Sequence, residues 1–366
     1  MPRQRYLGSA AFLAFLFQIT FTREIYLILE GAHEGISKWS HTVQKFIRLS
    51  HEIPGSLLVE PCFLGGRLTS CTRNNSTPLS YIFDFEGANI SFVSWKNYSS
   101  RTQSETRLLC FKRNIAHHGI YDLKTIKERA NNLRIDYSDD SLDSIADCAV
   151  NMTKNRDFPG NVSIFLFSPW LEQMSLTKFR FQEHEQDYVG LKYSKHIYHH
   201  LHRILKEGNI SLTQAVVFNW RSETIPENNY ESCAKYLVNS ISSHVRNRHE
   251  KPILVSDISL SPSIKLWGGM RNINISNEVV DSLRRNFLKL ETSQYLQDLQ
   301  KNYTMYNDIL FLSVWDTIIA RSARLFVTCN DRHNATCHRC TRVDSNFVRE
   351  ILYYRNAQKK NSSISW

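Results

Sequence analysis

A strand–helix–strand order occurs twice in this chain, and each first strand is a short apolar run that stops abruptly at polar or charged residues. In the second half the run is Ala215-Val216-Val217-Phe218, closed by Asn219-Trp220-Arg221-Ser222-Glu223. A short, continuous apolar run reads as a strand covered on both faces, as a parallel sheet between helix layers requires. A helix-period stretch from about Tyr230 to Arg248 follows, then Lys251-Pro252-Ile253-Leu254-Val255-Ser256-Asp257, an apolar strand ending on a polar pair. The first half has the same plan. Glu24 to Leu29 is a strand and Glu30-Gly31-Ala32-His33-Glu34-Gly35 a tight loop. Ile36, Trp39, Val43, Phe46 and Ile47 recur at helical spacing over Ser37 to His51, a Pro54-Gly55 turn follows, and Ser56 to Glu60 is the second strand. Alternating strand and helix place the chain in the α/β class.

Composition narrows what such a fold can serve. With 42% hydrophobic and 12% aromatic residues the chain can bury a core, so wholesale disorder is excluded. A formal net charge of +10 fits an anionic partner, either a phosphate-bearing ligand or a membrane surface. The basic residues are dispersed, which argues against nucleic acid. Arg3 and Arg5 precede an apolar stretch from Leu7 to Phe21, the pattern of a secretory signal. The stretch is short against the roughly 20 residues that a membrane span needs. Residues 1–22 are expected to be a signal peptide, with a short signal anchor as the alternative. Any membrane contact would run through that segment if it is uncleaved. Asn-x-Ser/Thr sequons stand at Asn74, Asn75, Asn89, Asn97, Asn151, Asn161, Asn209, Asn274, Asn302, Asn334 and Asn361, and there are 8 cysteines. Both features fit a glycosylated, disulfide-bearing protein of the endoplasmic reticulum or Golgi lumen.

The rest of the chain adds elements and candidate sites. Residues 62 to 105 read as an irregular surface excursion stapled by a Cys62–Cys71 disulfide. Tyr121 to Leu133 is a candidate helix. The acidic patch of Asp136, Asp139, Asp140 and Asp143 matches no calcium loop and reads as solvated. Val162 to Phe167 is a strand. His196, His199, His200 and His202 lie on a helix from Ser194 to Lys206. Without a nearby cysteine or acid they read as a helix face at a domain boundary, not a metal site. Leu283 to Tyr303 is a helical stretch, Ala323 to Thr328 a late strand, and Ser345 to Gln358 a closing helix. Cys337-His338-Arg339-Cys340 has zinc spacing but lacks a second pair, so a structural disulfide is favoured. Two α/β units without a long linker predict two Rossmann-like domains facing across a cleft, residues 23–207 and 208–366, with the break at Gly208-Asn209.

In open α/β sheets ligands bind at the carboxyl ends of strands. Arg221 stands at such an end, and its forked guanidinium suits a diphosphate or a carboxylate. Pairing with Glu223 is its structural alternative. Asp257 ends the neighbouring strand and belongs to the same edge. Glu34 sits where the first loop enters a helix, as a base near a ligand or as a helix-capping carboxylate.

These stretches together resemble the GDP-fucose protein O-fucosyltransferases and their fucosyltransferase-like relatives, lumenal enzymes of the two-domain GT-B type. Tyr26 to Gly35 is similar to the family's strand and Gly-rich loop, although the family's Asn-Gln pair is absent. Glu34-Gly35 matches a subgroup in which that glutamate is the proposed base. Phe218-Asn219-Trp220-Arg221-Ser222-Glu223 resembles the family's His-x-Arg strand end, with Asn219 where histidine is usual. Ala323 to Val327, then Ser345-Asn346-Phe347, then Arg355 resemble the C-terminal block, with Val348 replacing a second serine.

The resemblance implies inverting, metal-independent transfer of fucose from GDP-fucose to a hydroxyl of a glycoprotein, peptide or glycan, with no cofactor beyond that co-substrate. The N-terminal domain would take the acceptor and the C-terminal domain the nucleotide sugar. Arg221 would stabilise charge on the β-phosphate and Glu34 would take the acceptor proton. Gly31, Gly35, Asn219, Asp257, Ser345, Asn346 and Phe347 would line the donor. Two rivals stand beside it. One is a non-catalytic glycan- or protein-binding lumenal module. The other is a sulfotransferase, disfavoured because the first loop offers only His33 as a basic group.

Overall fold

The computed structural model describes residues 24–30, 36–64, 67–71, 76–85, 90–101, 106–110, 145–155, 160–167, 191–220, 227–246, 250–257, 260, 276–303, 306, 309–328, 340, 346–358 and 363–365. In the first half, strand β1 (Ile25–Glu30) leads into helix α1 (Ile36–Glu52) and strand β2 (Ser56–Val59). Then come β3 (Pro61–Leu64), β4 (Arg67–Ser70), β5 (Thr77–Pro78), α2 (Leu79–Ile82), β6 (Phe83–Asp84), β7 (Phe92–Val93), α3 (Trp95–Arg101) and β8 (Thr106–Cys110). Helix α4 (Ile145–Asn155), β9 (Val162–Phe167), β10 (Lys192–Tyr193) and α5 (Lys195–Glu207) complete it. A five-stranded sheet in the order β7-β2-β1-β9-β8 is parallel throughout. Its central strand β1 is apolar and buried on both faces from Tyr26 to Leu29, as its uninterrupted sequence predicts.

The second half contains β11 (Val216–Trp220), α6 (Tyr230–His244), β12 (Pro252–Ser256), α7 (Asn277–Asn286) and a 3-10 turn at Leu290–Thr292. It continues with α8 (Gln294–Asn302), α9 (Ile309–Ser322), β13 (Leu325–Thr328), α10 (Asn346–Ala357) and β14 (Ser363–Ser365). The order β12-β11-β13-β14 is again parallel, with Asn219 opposite Val255 and Trp220 opposite Ser256. The chain is thus α/β with two parallel sheets.

The side chains of β11 alternate between two layers. Val216, Phe218 and Trp220 pack with Cys233 and Leu237 of α6 and Leu283 of α7. Val217 faces the other way and joins Ile253, Phe326 and the α9 residues Leu310, Trp315 and Ile319. That second cluster runs without a break to Leu27, Leu29 and Val43 of the first half, through Leu201 and Ile204 of α5 and Val348 and Ile351 of α10. Trp315 Nε1 donates to the Ile197 carbonyl at 3.1 Å, tying α9 to α5.

Arg355 of α10 anchors the same junction. Its side chain is fully buried. Nη1 donates to the carbonyls of Ala320 (3.1 Å), Arg321 (3.4 Å) and Ala323 (2.7 Å), and Nη2 donates to that of Arg324 (3.1 Å). These carbonyls end α9 and begin the turn into β13, where a cation also meets the negative end of the helix dipole. Arg321 forms a buried ion pair with Glu350, and its guanidinium lies 4.6 Å from the Tyr354 ring centre and 5.8 Å from that of Tyr193.

Several elements differ from the sequence expectation. The excursion after residue 62 is not irregular. Strands β4-β3-β5 form a small antiparallel sheet, closed by the expected Cys62–Cys71 disulfide. Helix Leu283–Tyr303 is broken. Leu288 leaves the helix to pair with β12, its N–H donating to Pro252 and its carbonyl accepting from Leu254, and Ser293 then caps α8. Strands β8 and β14 were not anticipated. Residues 1–22, the Tyr121–Leu133 helix and the Asp136–Asp143 patch lie outside the described residues. Cys110–Cys148 and Cys233–Cys340 are further disulfides, and none of the described cysteines is free. The disulfide reading of the Cys-x-x-Cys motif therefore holds for Cys340, but its partner is 107 residues away. Cys329 and Cys337 lie outside the described residues.

Candidate functional site

The parallel register of β11, β12 and β13 builds one carboxyl edge. Asn219 is the penultimate residue of β11, Ser256 ends β12 beside Trp220, and Thr328 ends β13. Asn219 shares its face with Val217 and is completely buried. Its Nδ2 donates to Thr328 Oγ1 at 3.3 Å, whereas its Oδ1 has no hydrogen-bond partner. A buried amide oxygen without a partner is destabilising by roughly 1–3 kcal/mol, and such groups are rare in folded proteins. At a strand end in an open α/β sheet this orphan acceptor marks a place where a donor from a ligand or a water fits.

Asp257 follows directly on β12. It is buried, with Ser256 Oγ at 3.5 Å from its Oδ1. Trp220 points to the opposite layer, where its Nε1 donates to the Cys340 carbonyl at 2.8 Å. The Cys233–Cys340 disulfide pins that segment to α6. The indole and the disulfide thus hold the chain near the end of β11 from below the sheet.

The structure places Asn219 and Asp257 at neighbouring strand ends. Phe347 lies in the first turn of α10 and is buried in the apolar cluster shared by the two halves, so its ring serves the core. The backbone of Asn346 begins α10. Arg221, Glu34, Gly31, Gly35 and Ser345 lie outside the described residues. The family-like helix arginine, Arg355, is committed to the carbonyls at the end of α9.

One buried acid at a strand end escaped the sequence reading. Glu30 closes β1 and is 1% exposed, and its Oε2 accepts from the Ser70 N–H at 3.1 Å. It fastens the β3–β4 hairpin to the edge of the first sheet. A carboxylate directly after five apolar strand residues is the signal in the sequence.

Of the α5 histidines, His200 is engaged in the fold. His200 Nδ1 lies 2.9 Å from Tyr295 Oη and its Nε2 2.9 Å from Tyr306 Oη. Burial, then His199, His196 and Arg203, pull its pKa below the usual histidine value. Among the described residues no three His, Cys, Asp or Glu side chains gather as a metal-binding group. Among them, too, no helix is long and apolar enough to cross a membrane.

The architecture defined here is an α/β protein with two parallel sheets and a ligand-type strand edge on the second. No protein-family model matches the chain, and no curated protein matches it. Solved structures similar to it include POFUT1 in complex with GDP, at 11% identity over 93% of this chain and 98% of that one, TM-score 0.48. POFUT1 in complex with GDP-fucose is similar at 12% identity over 93% and 97%, TM-score 0.47. The fucosyltransferase NodZ from Bradyrhizobium is similar at 10% identity over 90% and 92%, TM-score 0.39.

Proposed function

We propose that the chain is a glycosyltransferase of the secretory pathway that transfers fucose from GDP-fucose, with inversion, to a protein or glycan hydroxyl. The observation that carries this reading is the unpartnered Oδ1 of Asn219, buried at the carboxyl edge of β11 beside Asp257. The motif resemblance around Phe218–Glu223 supplies the donor class. In this reading residues 23–207 take the acceptor and 208–366 take the donor. Arg221, next in the chain after Trp220, holds the β-phosphate as negative charge develops on it. The Asn219 oxygen accepts from the donor, and Asp257 binds its nucleoside part. Gly31, Gly35, Ser345 and Asn346 complete the donor's surroundings, and Glu34 removes the acceptor proton. No metal takes part. Three disulfides fit an oxidising lumen of the endoplasmic reticulum or Golgi.

A donor screen on the purified lumenal protein tests this. GDP release from GDP-fucose is expected, with a loss of about 100-fold or more in Arg221→Ala, equivalent to roughly 3 kcal/mol of transition-state stabilisation. No turnover with any nucleotide sugar sinks the transferase reading in favour of a binding module.

A further inference from the structure

A cavity of about 550 Å³ lies apart from the β11–β12 edge, at the start of α5. Its volume is in the range of small-molecule sites, roughly 300–1,000 Å³. Phe83 and Phe85, both buried, form an apolar floor. Asp84 on β6 is half-buried, and Ser80, Lys195 and His196 are exposed around it. Strand β6 pairs antiparallel with β10, which fixes Asp84 opposite Lys192, three residues before Lys195.

The wall carrying His196 is preorganised. Its ring stacks on Tyr81 with centres 5.2 Å apart and planes 1° from parallel. Tyr81 Oη is hydrogen-bonded to Tyr306 Oη, which lies 2.9 Å from His200 Nε2, and His200 Nδ1 lies 2.9 Å from Tyr295 Oη. Side chains from α2, α5, α8 and the segment before α9 thus brace one cavity-lining imidazole. A site whose lining is held by a second layer of contacts loses little freedom on binding.

The chemistry of the lining selects a ligand class. The described charges are one carboxylate, Asp84, and one ammonium, Lys195, so the cavity has no bias toward an anion. Hydroxyl, carboxylate, ammonium and imidazole groups line it beside an apolar base and between them supply both donors and acceptors. That pattern matches a ring that is polar at its edge and apolar on its face. We propose that this cavity binds a neutral saccharide.

Its position gives the site a use. Helix α5 ends at Gly208, against Leu288, which pairs with the first residues of β12. The end of α5 therefore lies at the amino edge of the second sheet, and its beginning, with the cavity, lies a helix length of about 20 Å away. Resting on the transferase reading, the bound saccharide is part of the acceptor. The binding itself does not depend on that reading.

The test is binding of the full lumenal chain to an array of neutral oligosaccharides and of sialylated or sulfated ones, followed by titration of the best ligand. Neutral saccharides are expected to bind. Lys195→Met and Ser80→Trp, the latter filling the mouth, should each weaken binding at least ten-fold. Binding to acidic glycans only, to none, or equally well in Ser80→Trp overturns the proposal. GDP titration and melting temperature are measured on the same samples and report that both variants are folded. Saccharide binding without GDP binding defeats the proposed donor chemistry alone, and GDP binding without saccharide binding defeats this site alone.

Discussion

Replacing Arg355 by methionine removes the buried guanidinium that ties α10 to the end of α9. Three of its hydrogen bonds, to Ala320, Ala323 and Arg324, are 3.1 Å or shorter. Each hydrogen bond to a charged group is worth about 1.5–3 kcal/mol, giving about 4.5–9 kcal/mol gross. Removing the charge also relieves a burial penalty of several kcal/mol, the same burial that lowers the pKa of this arginine. The net loss is about 3–5 kcal/mol, a large share of the roughly 5–15 kcal/mol by which domains are stable. Melting followed by circular dichroism should fall by about 10 °C. Arg355→Lys, which reaches fewer carbonyls with its three donors, should recover a part of that. Because Arg355 is an anchor and not a ligand contact, folded Arg355→Lys should bind GDP within about three-fold of the parent, well under 1 kcal/mol. A methionine variant within 1 kcal/mol of the parent, or a lysine variant of normal stability that loses GDP binding, refutes the anchoring role.

Two further perturbations follow. Burial raises the Asp316 carboxyl to about 7, with Glu291 adding to the effect and Lys289 opposing it. The folded state then holds a proton that the unfolded state releases near its ordinary value of 3.8. The contribution of Asp316 to stability should therefore decline as pH rises from about 4 to 7, by roughly 2 kcal/mol after allowance for partial exposure, and urea melts of Asp316→Asn should show a correspondingly shallower slope, with the part due to the likewise raised Glu350 retained. Opening the Cys233–Cys340 bridge releases a loop of 107 residues. Cys233→Ala should cost about 2–5 kcal/mol, read as a lower urea midpoint; an unchanged midpoint contradicts it.

The strands legible in the sequence were the ones whose side chains are buried on both faces. β1, β9, β11, β12 and β13 are apolar runs, and their faces meet helices that show the matching periodicity. Elements that earn their structure from partners were not legible. β14 is Ser363-Ile364-Ser365, a strand only because β13 offers it an edge. β3 to β5 are only two to four residues long, and pair with one another beside a disulfide. Leu288 fits a helical period but leaves the helix because β12 has a free edge there. At the site, apolar runs placed Asn219 and Asp257 on one edge. The missing partner of Asn219, the burial of Phe347 and the commitment of Arg355 depend on contacts across long sequence distances, which no local pattern encodes.

Asn219→Leu shows whether the β11–β12 edge is a nucleotide site. Leucine has a similar volume; it removes an acceptor that has no partner in the fold, together with the long 3.3 Å hydrogen bond from Nδ2 to Thr328 Oγ1. GDP titration and thermal melting of the parent and the variant separate the two roles. The free variant is expected to match the parent in stability within about 1 kcal/mol and to bind GDP about ten-fold or more weakly. A variant that is clearly destabilised yet binds GDP normally, or a parent that binds no GDP at millimolar concentration, contradicts a nucleotide site at this edge.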